Sequence, residues 1–102
     1  MKVERLGEVS ACIRNDERQT IAFGSLNTTT GEILSLYVDP KHRHKGLAKE
    51  IVRYLVDKWL DTELDEVFAT TCPNTDADKL FERLGWKRYS KWIRRKDEDR
   101  KI

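Results

Sequence analysis

Cysteine and proline are scarce in this chain of 102 residues, with two of each, and no apolar run reaches membrane-spanning length; a spanning helix needs about 20 such residues. Cys12 and Cys72 stand far apart without CxxC spacing, a pattern that offers neither a disulfide scaffold nor a zinc knot and fits a reducing compartment. No Pro/Gly/Ser-rich linker, low-complexity tract or internal repeat divides the chain. A second domain therefore has nowhere to begin, and residues 1–102 are expected to fold as one. Charge of one sign is also lacking: 20 basic residues face 18 acidic ones, and a net charge of +2 makes no global field to draw nucleic acid. Met1-Lys2-Val3-Glu4-Arg5-Leu6 lacks the apolar stretch of a signal peptide. The expectation is a cytoplasmic protein with no membrane partner, burying about two-thirds of its unfolded surface.

What is present is hydrophobic periodicity that changes along the chain. Glu8 to Arg14 and Gln19 to Leu26 read as strands, and Asn15-Asp16-Glu17-Arg18 suits a hairpin turn between them. After a turn at Asn27-Thr28-Thr29-Thr30-Gly31, Glu32 to Val38 gives a third strand. Its Ile33, Leu34, Leu36 and Val38 predict burial on much of both faces, and Asp39-Pro40 stops it. Ala48, Ile51, Val52, Leu55, Val56 and Trp59 then recur at helical spacing, so a four-turn amphipathic helix follows. Glu66 to Cys72 reads as a strand. Thr75 with Asp78 three residues on suits a capping box for a second helix carrying Ala77, Leu80, Phe81 and Leu84 inward, and Gly85 suits its left-handed end. Trp86 to Arg95 reads as one last strand and Lys96 to Ile102 as a solvated, frayed tail.

A strand, a turn, a helix and a further strand make a βαβ crossover, which sets the third strand parallel to the one starting near Glu66. The turn, Arg43-His44-Lys45-Gly46-Leu47-Ala48, is basic and opens the helix at a glycine. Backbone N–H groups left free in a first helical turn can converge there on a phosphate, provided that no side chain blocks the approach at Gly46. A plain solvated helix start has the same composition. The spacing is neither that of a Walker loop nor of a dinucleotide fingerprint.

Two ordered blocks carry a resemblance. Leu36-Tyr37-Val38-Asp39-Pro40 followed by Arg43-x-x-Gly46-x-Ala48 resembles the acyl-CoA signature of the GNAT superfamily of N-acetyltransferases, Arg/Gln-x-x-Gly-x-Gly/Ala. Asn74-x-x-Ala77-x-x-Leu80-Phe81-Glu82-Arg83-Leu84-Gly85-Trp86 resembles that family's N-x-x-A-x-x-L-Y-E-K-x-G-F block. The resemblance spans about residues 31–86. It implies an α+β fold with a mixed sheet: antiparallel N-terminal strands, a βαβ crossover whose two parallel strands splay apart, a second helix and a final antiparallel strand.

It also implies a chemistry, acetyl transfer from acetyl-CoA to a primary amine by direct attack. Arg43, His44, Lys45, Gly46, Leu47 and Ala48 would hold the pyrophosphate, chiefly through backbone N–H groups. Leu36 and Val38 would line the pantetheine, carbonyl and amide groups near Tyr37 and Val38 would pair with it, Asn74 would contact the cofactor from the opposite lip, and Phe81 would also lie at the cofactor. Glu32, at the start of the third strand, stands where some members carry a general base, although a solvated strand-end carboxylate has the same signature. Phe81 replaces a tyrosine that in many members protonates the departing thiolate, leaving Tyr37, Ser35 or Cys72, or no acid at all. With two histidines and no carboxylate cluster at ligand spacing, no metal is expected. Few residues precede Glu8, so the acceptor side is expected to be open, suited to a protein or peptide amine or to completion by a second copy. Two alternatives stay open: an acyl-CoA-binding module without transferase activity, and a nucleic-acid-binding protein using the basic and aromatic run Lys87 to Lys96.

Overall fold

The computed structural model describes residues 8–71, 75–88 and 91–96. Strands β1 (Glu8–Arg14), β2 (Thr20–Asn27) and β3 (Ile33–Val38) form an antiparallel meander in that spatial order. The first hairpin closes because Asn15 Oδ1 accepts from the amides of Glu17 (3.0 Å) and Gln19 (2.9 Å), with Arg18 left-handed at φ 65°. In the second, Asn27 Oδ1 accepts from Thr29 (2.8 Å) and Thr30 (3.1 Å).

Helix α1 (Leu47–Leu60) lies on one face of this sheet. Its Ile51, Val52, Leu55, Val56 and Trp59 are all buried, the stripe that the spacing predicts. The helix can approach because β2 carries a glycine under it: a Cβ at Gly24 would lie 2.4 Å from Ile51 Cγ2. Register places Val9, Ala11 and Ile13 beside Leu26, Gly24 and Ala22, which lie beside Ile33, Leu36 and Val38. One core runs through these residues and across to Val67, Phe81, Trp86 and Trp92.

The other half of the molecule is a second sheet, ordered β4 (Glu66–Ala69), β6 (Trp92–Arg95), β5 (Lys87–Arg88), all antiparallel, with helix α2 (Asp76–Arg83) between β4 and β5. Among the described residues the two sheets pair at one point, a parallel bridge between Glu32 and Phe68. Gly31 makes that meeting possible: its φ is +86°, and a Cβ there would sit 2.5 Å from the Glu66 carbonyl oxygen. Beyond the bridge β3 and β4 diverge, so the crossover is right in sense but splayed.

Several expectations are corrected. The third strand is not buried on both faces: Leu34 and Tyr37 are 48% and 47% exposed, because α1 covers one face and the other is open. The last strand is two hairpin arms, β5 and β6, rather than one run from Trp86 to Arg95. The strand predicted from Glu66 to Cys72 stops at Ala69. Lys96, expected in a solvated tail, is buried, its ammonium donating to the Thr62 carbonyl 5.6 Å from the Trp59 ring centre. The remainder of that tail, together with Cys72 and Asn74, lies outside the described residues.

Candidate functional site

At the end of β3 the chain passes Asp39, turns through a single 3-10 turn at Pro40–His42, and enters α1 by way of His44 and Gly46. Asp39 organises the first part. Its carboxylate accepts from the Lys41 amide (3.3 Å) and from Nδ1–H of His42 (2.8 Å). The His42 hydrogen bond is also the main reason why the Asp39 pKa is held below the ordinary carboxylate value. Arg43 folds back, its Nε–H donating to the Val38 carbonyl (3.2 Å).

His44 (φ 65°) and Gly46 (φ 82°) are both left-handed. A non-glycine residue there costs about 1–3 kcal/mol, and such strain gathers at ligand-binding turns. Gly46 is the N-cap of α1, and no side chain caps it among the described residues. The amides of the first turn therefore point outward unspent, with the positive end of a 14-residue helix behind them. Among the described residues, no atom beyond the glycine's own chain neighbours and helix backbone lies within 4 Å of where a Gly46 Cβ would be. The glycine is there for its backbone angle, and the space above it is open to a ligand.

That space is part of a cleft of about 690 Å³ between the β3–α1 turn and α2. Leu36, Tyr37, Val38, Arg43, His44, Gly46, Leu47 and Ala48, all among the residues expected at the cofactor, line one side. Of the other residues expected at the cofactor, Lys45 is exposed on the turn without lining the cleft. Phe81 is 1% exposed, its ring centre 4.6 Å from that of Trp86, in the core rather than on the cleft wall. Asn74 is outside the described residues. Glu32 is half-buried beside the bridge to Phe68, at the far end of β3 from the turn.

Sequence reasoning passed over the α2 side of the cleft: Thr75, Asp76, Ala77, Lys79 and Arg83 line it, with Leu80 and Leu84 beneath. The signal was the i, i+4 spacing of Thr75, Lys79 and Arg83, which puts all three on one helical stripe. With Arg43 and Lys49 opposite, four Lys/Arg side chains among the described residues line the cleft against one carboxylate, Asp76. The positive field that the whole chain lacks is concentrated here. A further missed feature is a bulge in β3: Ser25 pairs with Ser35 but Leu26 pairs with Ile33, which leaves Leu34 without an opposite residue.

Several cations of the basic and aromatic run at the end of the chain are engaged within the fold. Lys91 lies over the Phe68 ring (4.0 Å), Arg88 is paired with Asp78, Arg95 with Glu66, and Lys96 is buried. No helix among the described residues is long and apolar enough to cross a membrane.

A meander joined at one point to a second sheet, with a helix N-terminus facing the gap, defines a class of fold that comparison with known proteins identifies. Residues 3–86 match the Acetyltransferase (GNAT) family, and the chain belongs to that family. Solved structures agree on the fold. A protein of Exiguobacterium sp. 255-15 described as an acetyltransferase superimposes with a TM-score of 0.80 at 20% identity, over 94% of this chain and 69% of its own. A GNAT-family acetyltransferase of Staphylococcus aureus Mu50 gives 0.73 at 12% identity, over 88% and 68%. A GNAT-family N-acetyltransferase of Escherichia coli, solved in complex with CoA, gives 0.67 at 19% identity, over 84% and 57%. No curated protein sequence matches the chain.

Proposed function

We propose that the cleft binds the phosphate-bearing end of acetyl-CoA and that the chain, acting as one domain, transfers the acetyl group to a primary amine. The observation that carries this reading is the uncapped first turn of α1, which opens at a left-handed glycine into a cleft lined by four cations. The fit is specific in kind: unspent amides and cations suit a polyphosphate, while Leu36, Tyr37 and Val38 offer an extended apolar wall beside it. The E. coli structure with CoA supports the same assignment by likeness of fold.

Bound acetyl-CoA would supply an activated thioester. The residues of the chain supply the rest. Amides of the turn fix the phosphates while Arg43, Lys49, Lys79 and Arg83 offset their charge. The acceptor amine must shed a proton before it attacks, which for a lysine-type group of pKa about 10.4 costs about 4–5 kcal/mol at pH 7. Glu32 is the group proposed to take that proton, directly or through water. The neutral amine would then bond to the carbonyl carbon, the C–S bond would break with its electron pair on sulfur, and the nitrogen's surplus proton would pass to the released thiolate or to solvent; no covalent bond to the protein forms. With a thiol pKa near 8.5 the sulfur can leave without an acid, so Phe81 does not preclude turnover. The face of the meander away from α1 exposes Leu34, Ser35 and Tyr37, which suits a large acceptor such as an amine on a protein or peptide.

Calorimetric titration with acetyl-CoA tests the binding step, with Gly46→Glu as the control that fills the open space with a negative side chain. Saturable binding by the parent chain and its loss in the variant are expected, followed by acetylated amines in a peptide mixture examined by mass spectrometry. Absence of binding by the folded parent chain overturns the reading. Binding without acceleration of thiol release by any amine favours the inactive module instead.

A further inference from the structure

Helix α2 forms one lip of the cleft, yet it buries only two of its side chains, Asp78 and Phe81. Phe81 anchors the C-terminal half by packing on Trp86. The N-terminal half, which carries Asp76 and Ala77 onto the cleft, has a carboxylate where an anchor would ordinarily be apolar. Asp78 is 8% exposed. Its Oδ1 accepts from Thr71 Oγ1 (3.0 Å), Trp92 Nε1 (2.8 Å) and an Arg88 terminal nitrogen (2.9 Å), which also reaches Oδ2 (3.0 Å). The Arg88 guanidinium lies 5.3 Å from the centre of the Trp92 ring.

The cluster joins three parts of the fold: Thr71, two residues past the end of β4, the first turn of α2, and the β5–β6 hairpin. Asp78 also holds both ends of the connection from β4 to α2. Thr71 donates to its carboxylate at one end, and its own amide donates to Thr75 Oγ1 (3.3 Å) at the other. Apolar contact lets a helix slide or roll, whereas several hydrogen bonds converging on one buried carboxylate fix distance and direction. A paired buried charge is weak evidence for stability as such, since an apolar replacement is often as stable. What this one specifies is where the lip stands.

On the basis of the cofactor reading above, we propose that Asp78 is a positioning residue for coenzyme A: through Arg88, Trp92 and Thr71 it holds the α2 lip at the separation from the β3–α1 turn that the ligand requires. It touches no reacting atom and acts through Thr75, Asp76 and Ala77.

The test is CoA affinity by calorimetry set beside the thermal midpoint for each variant. Asp78→Ala should raise Kd about tenfold or more, the scale of a hydrogen-bonded charge lost. Asp78→Asn keeps an oxygen for Trp92 and Thr71 and should stay within about threefold of the parent. Trp92→Phe and Arg88→Lys should fall between, and they carry the test should Asp78→Ala fail to fold. Leu26→Ala, which removes a fully buried side chain from β2, should lower the midpoint without moving Kd. If the folded Asp78, Arg88 and Trp92 variants bind CoA as the parent does, or if Leu26→Ala weakens binding as much as they do, the positioning role is overturned while the cofactor reading stands. A parent chain that binds no CoA sinks the cofactor reading itself and this role with it.

Discussion

The amide of Phe68 donates to the carbonyl of Gly31 at 2.9 Å, which ties the second sheet to the first at the root of the splay. Everything on the cleft side of that contact is free to diverge. The position tolerates no side chain, for two independent reasons: positive φ and the nearness of the Glu66 carbonyl.

Gly31→Ala is therefore expected to destabilise the fold by about 2–3 kcal/mol, with strain at positive φ supplying about 1 and the clash the remainder. Urea unfolding monitored by circular dichroism measures it. For a domain of this size the thermal midpoint should fall by roughly 10 °C or more.

Gly46 offers a contrast, since its surroundings are open. Gly46→Ala should cost about 1 kcal/mol of stability from φ alone. Gly46→Glu should cost a similar amount yet weaken CoA binding by about a hundredfold, near 2.7 kcal/mol. Equal affinity for CoA in the two variants would count against a phosphate at this turn.

Glu32→Gln should lower kcat/KM about a hundredfold or more on an acceptor found by the peptide screen. CoA affinity should be unchanged. An unaltered rate would remove Glu32 from the mechanism.

The hydrogen bond from His42 holds the Asp39 pKa below the ordinary carboxylate range. A carboxyl group more acidic in the folded than in the unfolded state adds stability that is complete above the unfolded value and is lost as pH falls through the folded one. Asp39→Asn should accordingly be less stable than the parent at neutral pH, with the difference closing below about pH 4. Melting curves of both proteins between pH 7 and 3 provide the comparison.

The sequence reveals most where one physical requirement dominates. The stripe from Ile51 to Trp59 reads as a helix covering one face, and a glycine at position 46 permits the left-handed conformation in which that helix starts. It is equivocal where two requirements share a signal. Ile33-Leu34-Ser35-Leu36-Tyr37-Val38 reads as a strand buried on both faces because apolar content does not reveal that a bulge at Leu34 and an uncovered face expose half of it. The break between β5 and β6 lacks the glycine, proline or asparagine that usually announces a turn. Asp78 reads as a capping residue from its spacing to Thr75. Its partnership with Arg88 and Trp92, 10 and 14 residues on, depends on tertiary contact that spacing does not encode.

Lys96 bears on the reagent as much as on the fold. Thioesters acylate exposed amines without help, and a protein that concentrates one beside its own lysines is its own nearest target. Among the described lysines Lys96 alone is buried, its ammonium engaged by the Thr62 carbonyl and facing Trp59. Lys79 and Lys49, on the cleft wall, have no such shelter. Chemical self-labelling should thus begin at the rim of the cleft and spare the lysine on which the junction of α1 and β6 rests, so that the chain blunts its own ligand site before it loses its fold.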